Sequence, residues 1–136
     1  MKLQEEVDAE RIAAVGYCFG GLCVLDLARG GAILRGVASL HGLFSAPDLP
    51  YSGPITAKIM VLHGFEDPMA TPDEGTLLGQ ELTRRGADFQ IHYYGSTQHA
   101  FTNPDANDPS FGTVFNARSD ARSNRLLQDF LNEVLE

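Results

Sequence analysis

Four short apolar runs, each followed closely by a glycine, constrain this chain more than any other feature. Ile12 to Tyr17, Val37 to Leu40, Ile59 to Leu62 and Phe89 to Tyr94 are short and rich in β-branched or aromatic residues, so they predict strands. They run out as V-G-Y-C-F-G, S-L-H-G, V-L-H-G and Y-Y-G. Helical patterns lie between and after them. Gly20 to Arg29 carries Leu22, Leu25 and Leu27 before Gly30-Gly31. Thr71-Pro72-Asp73-Glu74 offers an N-cap, a proline at the first helical position and a capping-box acid, and opens a helix to about Gly86. A last helix from about Asn116 sets Leu127, Phe130, Leu131 and Val134 on one face. Strands separated by helices pair in parallel, and near-continuous apolar strands are covered on both faces. The expectation is an α/β protein: a three-layer parallel sheet of about four strands with flanking helices, forming one domain over residues 1–136. In such a sheet the four glycine exits share one edge, where open parallel sheets build their ligand sites.

Charge and cysteine usage narrow the partner. The net charge is −8 and the ten Lys and Arg are scattered, which excludes a nucleic-acid surface, because phosphate binding needs clustered cations. No long uninterrupted apolar run points to a membrane. The two cysteines, Cys18 and Cys23, with no secretory h-region before them, fit a reduced protein of the cytoplasm. The four histidines lie far apart in sequence, so neither a metal site nor a disulfide framework is expected. A small molecule is the expected partner. The loop from Phe44 to Ala57, with Pro47, Pro50 and Pro54, reads equally as a flap over the site edge or as an irregular surface connection.

The first strand exit carries the chemistry. Gly16-Tyr17-Cys18-Phe19-Gly20 has the G-x-nucleophile-x-G form of a strand-to-helix elbow, whose strained apex calls for small residues two before and two after the nucleophile. There the backbone N–H of Phe19 points at a developing oxyanion, and the start of the following helix favours a thiolate. A small buried cysteine at a glycine turn is the bland reading of the same pentapeptide. A dinucleotide fingerprint is the weaker alternative, because position 18 would have to be glycine. Two later exits decide between them: H-G-F-E-D-P after the third strand and G-S-T-Q-H-A-F-T-N-P after the fourth give the chain order nucleophile, acid, histidine. A histidine takes the thiol proton and a carboxylate fixes its tautomer. Asp67 is the preferred acid, Glu66 the next choice, and Asp73 belongs to a helix N-terminus.

These residues resemble the dienelactone hydrolase family, a cysteine-based branch of the α/β-hydrolases. The match rests on G-Y-C-F-G-G, V-L-H-G-F-E-D-P and Q-H-A-F-T-N-P and runs over essentially the whole chain. The resemblance implies a partial α/β-hydrolase fold, its C-terminal half from nucleophile to histidine, and a Cys18, His99, Asp67 triad. The implied activity is cleavage of a carboxylic ester or lactone through an acyl-enzyme on Cys18, without metal or organic cofactor. Where the family carries an arginine for its substrate carboxylate this chain has Asn103, so an anionic lactone is not the expected substrate. A thioesterase or peptidase would use the same machinery. The competing reading from another class is a non-catalytic remnant serving as an interaction or assembly module.

The other singled-out residues carry double readings. Tyr17, Phe19 and Phe101 shape an apolar pocket or simply pack over the sheet edge. His41 and His63 sit at strand exits, as pocket lining or as structural histidines. His92 is a hydrogen-bonded strand histidine and Cys23 a core residue of its helix. With the family's N-terminal strands outside this chain, strand 12–17 offers a free apolar edge, and pairing with a second copy or aggregation is the expected consequence.

Overall fold

A computed structural model of the chain describes residues 7–136. In chain order the elements are β1 (Ala13–Tyr17), α1 (Phe19–Arg29), β2 (Gly36–Leu40), β3 (Lys58–Gly64), α2 (Pro72–Arg84), β4 (Phe89–Tyr94), β5 (Asn107–Asp108), β6 (Thr113–Val114) and α3 (Ala117–Leu135). The first four strands form one parallel sheet in the order β1-β2-β3-β4, and β5 and β6 make a small antiparallel ribbon.

The alternation of each strand builds two cores. Val37, Ile59 and Val61 face Val24, Leu25 and Ala28 of α1 and Leu78 and Leu82 of α2. Ala38, Leu40, Met60 and Leu62 face the other way, onto Leu127, Phe130 and Val134 of α3. Central strands β2 and β3 are therefore apolar on both faces, as a covered parallel sheet requires. The α2 start carries the capping box on Thr71 and Glu74 with Pro72 behind it, and Asn116 caps α3 by accepting from the N–H of Ser119.

One expectation changes, one choice between two readings is made, and one element is added. The buried face of α1 is Gly21, Val24, Leu25, Ala28 and Arg29, while Leu27 and Cys23 are exposed, so Cys23 is not a core residue. The helix lies so close to the sheet that small residues take the contact: a Cβ on Gly21 would stand 2.7 Å from the Gly42 Cα. The segment between β2 and β3 is an irregular connection anchored by buried Phe44, Ile55 and Ala57. Arg29, 2% exposed, holds it there: its guanidinium donates to the carbonyls of Phe44 and Ser45 and pairs with Glu81 of α2 and Asp26. The β5–β6 ribbon is an element the apolar pattern does not announce.

Candidate active site

Strand register lines up the first side chains of the site. Tyr17 pairs with Leu40 and Leu40 with Leu62, so the next residues, Cys18, His41 and His63, stand in a row at the strand exits. The Cys18 N–H donates to the Leu40 carbonyl and the His41 N–H to the Leu62 carbonyl, which carries the sheet one step into the loops. Backbone strain gathers in the same place. Cys18 (φ 51°), His41 (φ 38°) and Ala100 (φ 57°) all sit in left-handed conformations that side chains avoid.

The elbow works differently from its glycine pattern. A Cβ on Gly16 would lie 1.9 Å from the Gly20 carbonyl oxygen, so the residue two before Cys18 must be glycine. A Cβ on Gly20 would meet nothing within 4 Å. The second close approach belongs to Gly21, against Ser39 and Gly42. Phe19 opens α1 and its side chain is 71% exposed, leaving its N–H among the free donors of the first helical turn.

Asp67 and His99 meet although they lie beyond different strands. The His99 Nδ1–H donates to Asp67 Oδ2 at 2.8 Å, both residues being buried, and Asp67 Oδ1 accepts from the N–H of Met69 at 2.8 Å and more weakly from that of Ala70. Glu66 is exposed and Asp73 lies at the α2 N-terminus, so neither competes for His99. The ribbon fixes the histidine: the His99 N–H donates to the Gly112 carbonyl and its carbonyl accepts from the Val114 N–H. With Nδ1 committed to Asp67, Nε2 is the nitrogen left for chemistry.

His41 has a more specific place than pocket lining. The Cys18 backbone N–H donates to His41 Nδ1 at 3.3 Å, so that nitrogen carries a lone pair, and Nε2–H donates to Thr102 Oγ1 at 2.8 Å. The Cys18 Sγ lies 3.3 Å from the same Nδ1. The sulfur thus hydrogen-bonds to His41 rather than to His99. Burial, with smaller contributions that include the nearby His99, holds the His41 pKa down at about 4, which keeps the ring neutral. Burial also raises the Cys18 thiol, and the Asp67 charge adds to this. His63 is fully buried, donates from Nε2 to the Ala70 carbonyl at 2.8 Å and lies 3.4 Å from Asp67 Oδ2; its pKa is lowered by burial. Phe101 packs edge-on against His41 with ring centres 5.1 Å apart, and Tyr17 leans on the same ring. Asn103 is exposed and its side chain accepts from the Asp105 N–H, closing a local turn. His92 is bonded to Gln90 on the surface of β4.

Histidines distant in sequence therefore converge: Cys18 Sγ and one ring nitrogen each of His41 and His99 lie within 4.8 Å of one another. The grooves between residues 44–46 and α2 and along α2 itself are not lined by any of these three. Among the described residues no helix is long and apolar enough to cross a membrane.

The pattern of the dienelactone hydrolase family matches residues 1–135. An uncharacterized protein of Caenorhabditis elegans is 32% identical over 133 residues, covering 94% of this chain and 83% of that protein. Among solved structures, m3DLH is 36% identical with a TM-score of 0.88, over 98% of this chain. A dienelactone hydrolase-like promiscuous phosphotriesterase from metagenomic libraries is 32% identical, also with a TM-score of 0.88 over 98% of this chain. This chain spans 56% of each of those two structures.

Proposed function

The chain belongs to the dienelactone hydrolase family, and from that membership we propose that it cleaves a carboxylic ester or lactone through a thioester on Cys18. The observation that carries the reading is the convergence of three strand exits: Cys18 on the strained elbow, and the buried His99–Asp67 pair beside it. The sulfur rests on His41, and rotation about the Cys18 χ1 brings it to His99 Nε2. His99 takes the thiol proton as sulfur attacks the carbonyl carbon, and Asp67 holds the imidazole in the required tautomer. The Phe19 N–H receives the oxyanion. Collapse breaks the carbon–oxygen bond of the ester, and His99 returns the proton to the leaving alkoxide. A water, deprotonated by His99, then hydrolyses the thioester and restores the thiol. Tyr17, His41, His63 and Phe101 surround the acyl and leaving groups, with Asn103 at the outer rim.

The test is hydrolysis of a small chromogenic acetate ester by the chain and by Cys18→Ala, both verified as folded by circular dichroism. Turnover lost in Cys18→Ala supports the reading. Equal inactivity of two folded proteins assigns the chain to the non-catalytic class, an interaction module on a hydrolase frame. The neutral thiol on His41 is the observation that favours this second class.

The outer edge of β1 has no strand beside it among the described residues, and Val15 and Tyr17 are exposed there. We propose that it pairs with a second copy. Light scattering should show mass rising with concentration, and a monomer at high concentration overturns the pairing.

A further inference from the structure

We propose that Cys18 Sγ, His41 Nδ1 and His99 Nε2 form a three-ligand site for Zn2+ that, when filled, sequesters the nucleophile and switches the site off. A tetrahedral zinc ion with one thiolate and two imidazoles sets its ligand atoms about 3.3–3.6 Å apart. The Cys18 Sγ to His41 Nδ1 separation, 3.3 Å, is already there, and the whole trio fits within 4.8 Å. Each imidazole has one nitrogen committed outward: His99 Nδ1 to Asp67 and His41 Nε2 to Thr102. The other ring nitrogen of each is then the one left for a metal, the arrangement that metal-binding histidines share.

Donor chemistry selects the ion. Sulfur with two imidazoles suits Zn2+ and not Mg2+ or Ca2+, which take oxygen ligands. Charge balances as well: a dication, one thiolate and the Asp67 carboxylate sum to zero in a buried site. On binding, the S–H bond breaks, its proton leaves to the buffer, and sulfur donates its electron pair to zinc. The Cys18 N–H gives up its bond to His41. Three protein ligands leave a fourth position for water. The off-switch rests on the hydrolase reading above, whereas metal binding does not.

The experiment uses the chelator-treated full chain in a Cys23→Ser background, which removes the exposed second thiol. Titration with Co2+ should give one equivalent, with an intense thiolate-to-cobalt charge-transfer band and the strong visible bands of a four-coordinate ion, displaced by Zn2+. His41→Phe keeps the ring volume against Phe101 and should weaken binding by about 100-fold or more. Asp67→Asn should weaken it by about 10 to 100-fold. Circular dichroism reports the folding of each variant, and His99→Ala, with the same expected loss, decides the matter if His41→Phe does not fold. The absence of a charge-transfer band, or unchanged affinity in a folded ligand variant, overturns the site. In the ester assay one equivalent of Zn2+ should stop turnover and EDTA should restore it; full turnover with the site loaded overturns the switch. A cobalt spectrum in a chain with no esterase activity would remove the hydrolase reading and leave the metal site standing.

Discussion

At residue scale the elbow separates what a motif spells from what sterics demand. The pattern G-x-C-x-G treats Gly16 and Gly20 alike, but a Cβ collides at Gly16 and finds open space at Gly20. Gly20 lies within α1, where alanine is favoured over glycine by about 0.5–1 kcal/mol. Gly20→Ala is therefore expected to leave the urea midpoint unchanged or raised, and to preserve ester turnover. Gly16→Ala must push β1 and α1 apart, and is expected to lose turnover together with thermal stability. Equal behaviour of the two variants would refute this steric account. The same scale shows why His41 was legible only as a histidine near an edge. Its contact with Cys18 depends on which strands are neighbours and in what register, and a list of strand exits contains neither.

At the scale of elements, the four strands and three helices were readable because each carries an apolar run or stripe in sequence and ends near a cap or glycine. What stayed hidden has little apolar signal. The β5–β6 ribbon has two residues in each strand, and its work is done by backbone bonds to His99. On α1 Leu25 is buried as its pattern suggests but Leu27 is exposed, because the contact face also takes Gly21, Ala28 and Arg29, whose charge is paired internally. The ribbon matters for the site because its backbone holds His99. Gly112 has φ 91°, and a Cβ there would stand 2.3 Å from Pro68 Cγ, next to Asp67. A non-glycine residue in such a conformation costs about 1–3 kcal/mol, and the ribbon yields more readily than the sheet. Gly112→Val should lower kcat for ester cleavage by tenfold or more, with the far-ultraviolet circular dichroism retained. Wild-type kcat in a folded Gly112→Val chain would show that the ribbon does not position His99.

For the whole molecule, gathering buried histidines at a sheet edge has a stability consequence that pH reveals. Burial lowers the proton affinity of His63, whose Nδ1 has no partner among the described residues. Asp67 and Glu74 oppose that lowering and His99 reinforces it, and burial still prevails. His41 is held at about 4 for the same reason. In the unfolded chain both titrate near the ordinary histidine value of about 6.5. Between those values the unfolded state binds more protons than the folded one, so acid favours unfolding. Stability is then fully present above about pH 6.5 and is lost progressively as pH falls toward 4. The His41 share alone amounts to on the order of 3 kcal/mol. Urea unfolding in chelator-treated buffer should give a clearly lower midpoint at pH 5 than at pH 7.5. His63→Phe, which fills the cavity between Phe44 and Tyr93 without a titratable group, should flatten the slope by its own share. A midpoint independent of pH over this range would mean that the two histidines are not held neutral in the folded chain, and the tautomer assigned to His41 would fall with it.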